Sequence, residues 1–595
     1  MKINLILIQT ATELTSEDWL SSPGVIGTIF LIFLVVFLGI FIFIKRLNLY
    51  VDLLEKNTQD LTEEEFERRL INLDQKEVDE ILKIRQEGFK DRHNKPGEDI
   101  IPPPKSGFIK KIISPKNPLF DEKSRMSNKI EISKELKEII IWYLGAAAFW
   151  LVIGTLIGQY VGMKFIWPEM DNSSWLSFGR LRPVHTNTVF WGWASMAMVG
   201  LGHFVVSRTS NREIFSYNKS KAAFWLMNIS VSIGNLLLMS GINNGGGEYR
   251  EYIWPVTALF AIGLILTFSN FYKTIATRKI SEIYISNWFI LASLIWTIVL
   301  TVIGYFPDYQ NGLGETVIQG YYMHQGVGMW FMTFTLGLVY YFLPAALNKP
   351  IYSYSLGVLA FWTQMLFYTL IGTHHFVFSP LPWWLQTVAI VFSAGMFIPV
   401  FAGSTNFLMT MRGSWNHISK SYVLPFFLVG VVFYFVGSVQ GSFQAFRFTN
   451  YLWHFTDFNV AHSHMTMYGI ITFLMWACMY SVIPKITGNE PPQNLVGSHF
   501  WLAFIGLVAY MVSLMAGGTL KGLSWIDGNP FIESVILMKN YWVWRAVGGS
   551  LMFISHIIFG YNFYLMVKRR KEVPFLRSNS IDPTSEVQSL KAESN

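Results

Sequence analysis

The sequence predicts an all-α, polytopic membrane protein, and three observations carry that prediction. Hydrophobic residues make up 52% of the 595 and charged residues only 14%, whereas a water-soluble chain needs roughly a quarter charged residues to cover its surface. About thirteen stretches reach the roughly 20 apolar residues that a spanning helix requires. Lys and Arg collect in alternate loops between those stretches, as positive-inside topology demands. Together these exclude a soluble enzyme, a fibrous protein and a disordered chain. The net charge of +7 is explained by the inward loops without a nucleic-acid partner.

The first stretch, Gly24–Ile44, follows the acidic Glu13, Glu17 and Asp18 and has no clear small-residue cleavage site, so it reads as a retained anchor rather than a signal peptide. A charged segment, Lys45–Lys137, comes next. Within it Phe66, Leu70, Leu73, Ile81 and Ile84 recur near helical spacing, predicting a helix over Glu63–Glu87, and Pro102, Pro103 and Pro104 bar one further on. The remaining spans are Ile139–Gly162, Val184–Val206, Ala222–Ile242, Ile253–Tyr272, Ile285–Phe306, Val317–Leu347, Tyr352–Val377, Leu385–Met411, Val423–Phe443, Val460–Ile483, Phe500–Gly517 and Val543–Val567. This divides the chain into a tail and anchor (1–45), a charged linker (46–137), a twelve-helix core (138–571) and a C-terminal tail (572–595).

Arg208, Arg212, Lys219 and Lys221 share one loop; Lys273, Arg278, Lys279, Arg412, Lys420, Lys485 and the run Lys568–Lys571 continue the same side. The opposite loops hold Glu248, Glu251, Asp308, Glu315, Asp527 and Glu533. The expectation is a bacterial inner-membrane protein with its N-terminus periplasmic and its C-terminus cytoplasmic.

Cys478 is the only cysteine, which excludes a disulfide framework, a Cys₄ cluster, a C-x-x-C-H haem attachment and a two-thiolate copper site. Redox chemistry must therefore rest on histidine. Eight of the twelve histidines fall inside predicted spans, where an ionisable side chain is a functional hypothesis by default. His203 and His556 stand alone and read as hydrogen-bonded packing residues. The other six are patterned. His462 and His464 are two residues apart, about 200° around a helix, so they leave opposite faces and serve two metals rather than one. His185 opens another span behind Pro183, with Arg180 and Arg182 placed to clamp haem propionates. A haem bridging His185 and His464 would be six-coordinate, an electron carrier without an open position. His374 and His375 are about 100° apart on one helix and converge with His324 of the preceding span. Three neutral imidazoles without a carboxylate or thiolate suit copper or zinc. Facing a five-coordinate haem on His462, they make a two-metal pocket for a diatomic ligand. Tyr368, two turns before His375, falls on nearly the same face about 10 Å lower and offers a phenol proton and electron.

These residues resemble the catalytic subunit of haem-copper oxygen reductases, specifically the C-type, or cytochrome cbb3, oxidases. The likeness runs from about Ile139 to Val567. It is carried by Gly179-Arg-Leu-Arg-Pro-Val-His185, by Tyr340-Tyr-Phe-Leu-Pro344 with Lys349-Pro-Ile-Tyr-Ser-Tyr354, by Thr373-His-His-Phe-Val-Phe-Ser-Pro-Leu-Pro382, and by His454-Phe-Thr-Asp457 leading to His462-Ser-His464. The resemblance implies the twelve-helix haem-copper oxidase bundle, here with one extra N-terminal transmembrane helix. It implies low-spin haem b on His185 and His464, high-spin haem b3 on His462, and copper on His324, His374 and His375. It further implies that Tyr368 is a redox tyrosine tied to His324, that Arg182, Arg447, His454 and Asp457 meet haem propionates, and that Glu248 or Glu251 approaches a calcium. The activity implied is a cytochrome-c oxidase reducing O₂ to water with proton uptake and pumping, fed by membrane-anchored c-type cytochrome subunits. This chain departs from the family at Gln440, where a glutamate is usual, and at Gly357, where a hydroxyl residue lies on the K-type proton path; Tyr340, Tyr341, Ser353 and Tyr354 remain as relay members.

Two alternatives bear on this. A nitric oxide reductase of the same superfamily needs a carboxylate one turn after the first metal-binding histidine; here that position is Gly328, and such enzymes lack the tyrosine. A transporter with a histidine relay would show Gly/Pro-interrupted helices in two repeated halves, and no such repeat is present.

Overall fold

The structure is a computed structural model and describes residues 132–568 except 281, 308–310 and 419. The expected anchor, the helix within Lys45–Lys137, Asp308 and the C-terminal tail lie outside the described residues. The chain divides into two units, Met1–Gln86 with Glu572–Asn595, and Glu87–Lys571; all that follows concerns the second.

No strand occurs among the described residues. Eleven helices there are long and apolar enough to cross a membrane: α1 Lys134–Met163, α2 Phe178–Ser210, α3 Tyr217–Ser240, α4 Trp254–Ala276, α5 Ile285–Gly304, α6 Gly312–Leu347, α8 Trp383–Met411, α9 Leu424–Gln444, α10 Asp457–Thr487, α11 Gln493–Ile526 and α12 Phe531–Val567. Between α6 and α8 lies the shorter α7, Tyr354–Tyr368. Eleven of the twelve expected core stretches overlap the membrane-length helices, whereas the expected span Tyr352–Val377 is α-helical only over Tyr354–Tyr368. Helices satisfy most of their backbone groups within the segment, which hydrocarbon requires. Three starts carry serine side-chain caps: Ser133 accepts from Leu136 N, Ser216 from Lys219 N, and Ser353 from Leu356 N. Glycine ends α3, with Gly241 at φ +94°.

Burial divides the bundle. The most apolar windows of α2, α6 and α10 are 94%, 83% and 83% buried, against 39–50% for the other eight spans. The outer helices turn residues such as Leu236, Val302 and Trp225 outward, the surface a lipid solvent accepts. The inner three carry His185, His324, and His462 with His464. Each inner helix also widens into a π-helix just past its histidine: Thr188–Ala194, Gly326–Met332 and Met465–Thr472. Such π stretches interrupt the regular ladder and are frequent at functional sites.

Candidate metal and haem centre

His324, His374 and His375 come together. Their nearest ring nitrogens lie within 4.8 Å of one another, the one group of three or more potential metal-binding side chains among the described residues. His324 Nδ1 is 2.8 Å from His375 Nε2 and 3.1 Å from His374 Nε2. Three donors at about 2 Å from one ion stand roughly 3 to 3.5 Å apart, so this separation fits a metal. The tautomer of His374 is fixed from outside. Ser393 Oγ donates to the Ala389 carbonyl at 2.7 Å and accepts from His374 Nδ1 at 2.6 Å, leaving the His374 Nε2 lone pair for the ion.

The route to this cluster differs from the expectation in one respect. His374 and His375 are not on the α-helix with Tyr368. That helix stops at Tyr368, and the pair stands on a 3₁₀ turn, Gly372–Phe376. The two-turn rise expected for Tyr368 therefore does not apply. Its ring lies beside His324, centroids 5.5 Å apart, and directly over Gly328: a Cβ built there would be 2.0 Å from Tyr368 Cε1. The phenol occupies the space that a side chain at 328 would need.

On the other side of α10, His185 and His464 face each other with ring centroids 6.5 Å apart and planes 14° apart. Two imidazoles bound to one metal through bonds of about 2 Å have centroids roughly 6 Å apart, so the pair fits a single iron. His185 Nδ1 donates to the Gly154 carbonyl at 2.7 Å and His464 Nδ1 to the Val460 carbonyl at 2.8 Å, leaving both Nε2 atoms for it. Gly158 makes the pairing possible, since a Cβ there would be 2.4 Å from the His185 ring. His462 is held differently: its Nδ1 donates to Gln440 Oε1 at 2.9 Å. All these rings line one cavity of about 810 Å³ that also reaches Tyr368, His454, Arg182 and Arg545.

The residues expected at propionates are placed less uniformly. Arg182 lines the cavity and pairs with Glu248, with Glu251 at 4.0 Å. Glu248 and Glu251 thus face one guanidinium. Glu251 also accepts from Asn187 Nδ2 at 2.9 Å, and burial raises its pKa to about 7. His454 lines the cavity, stacks on Phe455 with centroids 3.9 Å apart, and is held below its ordinary pKa by burial. Arg447 lies over the Trp383 ring at 3.7 Å and donates to Thr387 Oγ1 at 2.8 Å. Asp457 lines the cavity and accepts from Lys521 Nζ and Trp542 Nε1, each at 3.0 Å.

His203 is saturated by Val199 O and Ser220 Oγ, as a packing residue should be. His556 bonds Thr155 Oγ1 and Tyr468 OH and forms part of the cavity wall. The sequence reading missed Ser393, the Gln440–His462 contact and Arg545. Only Arg545, a lone arginine inside a predicted span, carried a signal that could have found it.

The family profile described as Cytochrome C and Quinol oxidase polypeptide I matches residues 138–551. The chain is 29% identical over 445 residues to the Cbb3-type cytochrome c oxidase subunit CcoN1 of Stutzerimonas stutzeri, covering 72% of this chain and 94% of that one. It is 30% identical over 450 residues to a cytochrome c oxidase subunit 1 homolog of Agrobacterium tumefaciens (strain T37), covering 72% and 83%. A cryo-EM structure of a heme-copper terminal oxidase dimer matches with a TM-score of 0.61 at 16% identity over 74% of this chain and 85% of the other, a likeness of fold. The chain therefore belongs to the cytochrome c and quinol oxidase polypeptide I family and is a membrane-embedded oxidoreductase, a haem-copper oxidase subunit I similar to the cbb3-type members.

Proposed function

We propose that this chain reduces O₂ to water, with low-spin haem b held by His185 and His464, high-spin haem b3 by His462, and copper by His324, His374 and His375. The bound haems and copper supply electron transfer and O₂ chemistry. The protein's residues supply the rest. Val460 and Gly154 carbonyls, Gln440 and Ser393 fix the imidazole tautomers and orientations. The helices around α2, α6 and α10 exclude water from the cavity. Tyr368 holds a transferable proton on its phenol oxygen beside His324.

One observation favours O₂ over NO as substrate: the Tyr368 ring fills the space over Gly328. A nitric oxide reductase would set a carboxylate at that position, and here the phenol excludes it. O₂ and NO consumption by the purified complex, measured side by side, tests this. Rapid O₂ uptake with slow NO uptake is expected; the reverse would overturn the reading.

The reading extends to partners and topology. With Cys478 buried in α10 and no haem c motif in the sequence, electrons enter through separate membrane-anchored c-type cytochrome subunits. The core spans 138–571, with the N-terminus periplasmic and the C-terminus cytoplasmic, in a bacterial inner membrane. Proton uptake and pumping complete the proposal. Of the relay residues, Tyr340 has a buried hydroxyl without a hydrogen bond, and Ser353 is spent on capping α7. At Gly357 a Cβ would be 2.7 Å from Ile285 Cδ1, so an apolar side chain takes the space where a hydroxyl is expected; the route must pass this rung by way of Tyr340. A calcium at Glu248 or Glu251 is part of the same proposal and requires Arg182 to turn from those carboxylates to a propionate, freeing oxygens for the ion.

A further inference from the structure

Among the described residues lining the cavity, the charged side chains of fixed sign are Arg182, Glu248, Asp457 and Arg545. Three have partners. Arg182 pairs with Glu248, and Asp457 gives one oxygen to Lys521 and the other to Trp542. Arg545 differs in that its polar neighbour is the Tyr510 hydroxyl and not a carboxylate. It lies on α12 three residues past Trp542, is nine-tenths buried, has an Nε without a hydrogen bond, and forms no ion pair with a described carboxylate. A guanidinium withdrawn from water without a carboxylate of the protein beside it is costly, and inside a bilayer protein such a residue marks a functional position.

Its surroundings show what it acts on. The guanidinium carbon lies 4.3 Å from the centre of the Phe165 ring and 5.7 Å from that of Tyr510, whose π faces attract a cation. Tyr510 in turn packs on His464, ring centroids 4.4 Å apart and planes 35° apart. Arginine, phenol and imidazole form one stack ending at a proposed ligand of low-spin haem. The other cavity arginine is paired with Glu248, so the protein cation stacked toward His464 without a described carboxylate partner is Arg545.

We propose that Arg545 is a positioning residue that sets the reduction potential of the low-spin haem. The inference rests on the assignment of His185 and His464 to that haem. When one electron arrives, the net charge of the centre falls by one. A buried cation close by stabilises the reduced form over the oxidised one, and low effective dielectric strengthens the effect. The potential is therefore higher than the same bis-imidazole site would have without Arg545, which favours electron entry from the donor.

The test is redox titration of the whole purified complex, reading the six-coordinate low-spin haem absorption against potential. Arg545→Gln and Arg545→Met both lower the midpoint potential of that haem, with its bis-imidazole spectrum retained. Arg545→Lys keeps the charge and stays near wild type, which a purely packing role would not predict. Unshifted potentials in the Gln and Met variants overturn the inference alone, as does a Lys variant displaced as far as Met. A wild-type complex without a low-spin bis-imidazole signal overturns the haem assignment and the inference together.

Discussion

His462 and His464 stand two residues apart on α10, yet the protein holds them by different means. His464 gives its Nδ1 proton to its own helix, at the Val460 carbonyl, and its partner His185 does the same to Gly154 of α1. His462 gives its proton to a side chain, Gln440 of α9. The His464 side is closed by a second imidazole facing it at 6.5 Å; the His462 side opens towards three histidines and Tyr368. Main-chain carbonyls cannot be exchanged by mutation, so the side proposed to carry electrons is fixed by the fold. The side where substrate would bind is set by replaceable side chains, and this chain uses that freedom by placing a neutral amide where a carboxylate is usual in the family it resembles.

The comparison breaks most visibly at Tyr368. Tyr368→Phe keeps the ring over Gly328 and removes only the hydroxyl. Steady O₂ turnover should fall by about 10²-fold or more, the scale of a lost proton donor, while both haems still load. Retained turnover measured with an oxygen electrode would remove the phenol from the chemistry. Gly328→Glu probes the same contact by force. Its Cβ would meet the Tyr368 ring at 2.0 Å, so overpacking of about 1–3 kcal/mol is expected, read as a lower thermal transition with turnover lost; an undisturbed variant would show that the ring moves aside freely.

Gln440→Glu sharpens the comparison. A carboxylate accepts more strongly from His462 Nδ1 than an amide does, giving that imidazole more anionic character. The iron–histidine stretch of the high-spin haem, read by resonance Raman, should rise, and the His185–His464 spectrum should not change. A change confined to the low-spin haem would contradict the assignment of His462. The smallest effect is expected at Ser393→Ala. It removes the acceptor of His374 Nδ1, and loss of such a partner weakens metal affinity about 10-fold; titration with a copper chelator measures it, and an unchanged affinity would mean that Ser393 does not orient the ring.

Much of this was legible in the residues. The spans were visible because bilayer thickness imposes a length and composition that few other segments meet, and the histidines because an imidazole among twenty apolar residues has no cheap explanation. The opposed faces of His462 and His464 followed from helix rotation alone. What failed was whatever depended on leaving the regular helix. His374 and His375 occupy a 3₁₀ turn because α7 ends at Tyr368, and no pattern in Thr373–Phe376 distinguishes that from another helical turn. The three π stretches likewise have no compositional mark. Long-range pairings were invisible as well: Asp457 finds Lys521 sixty-four residues later, and Arg447 finds Trp383.

The central claim is that six imidazoles hold two haems and one copper. A metal and haem inventory of the purified complex, counting only non-covalent haem, tests it most directly. Two non-covalent haems and one copper per copy of this chain is the predicted result. Non-haem iron in place of copper, or a single non-covalent haem, would contradict the account.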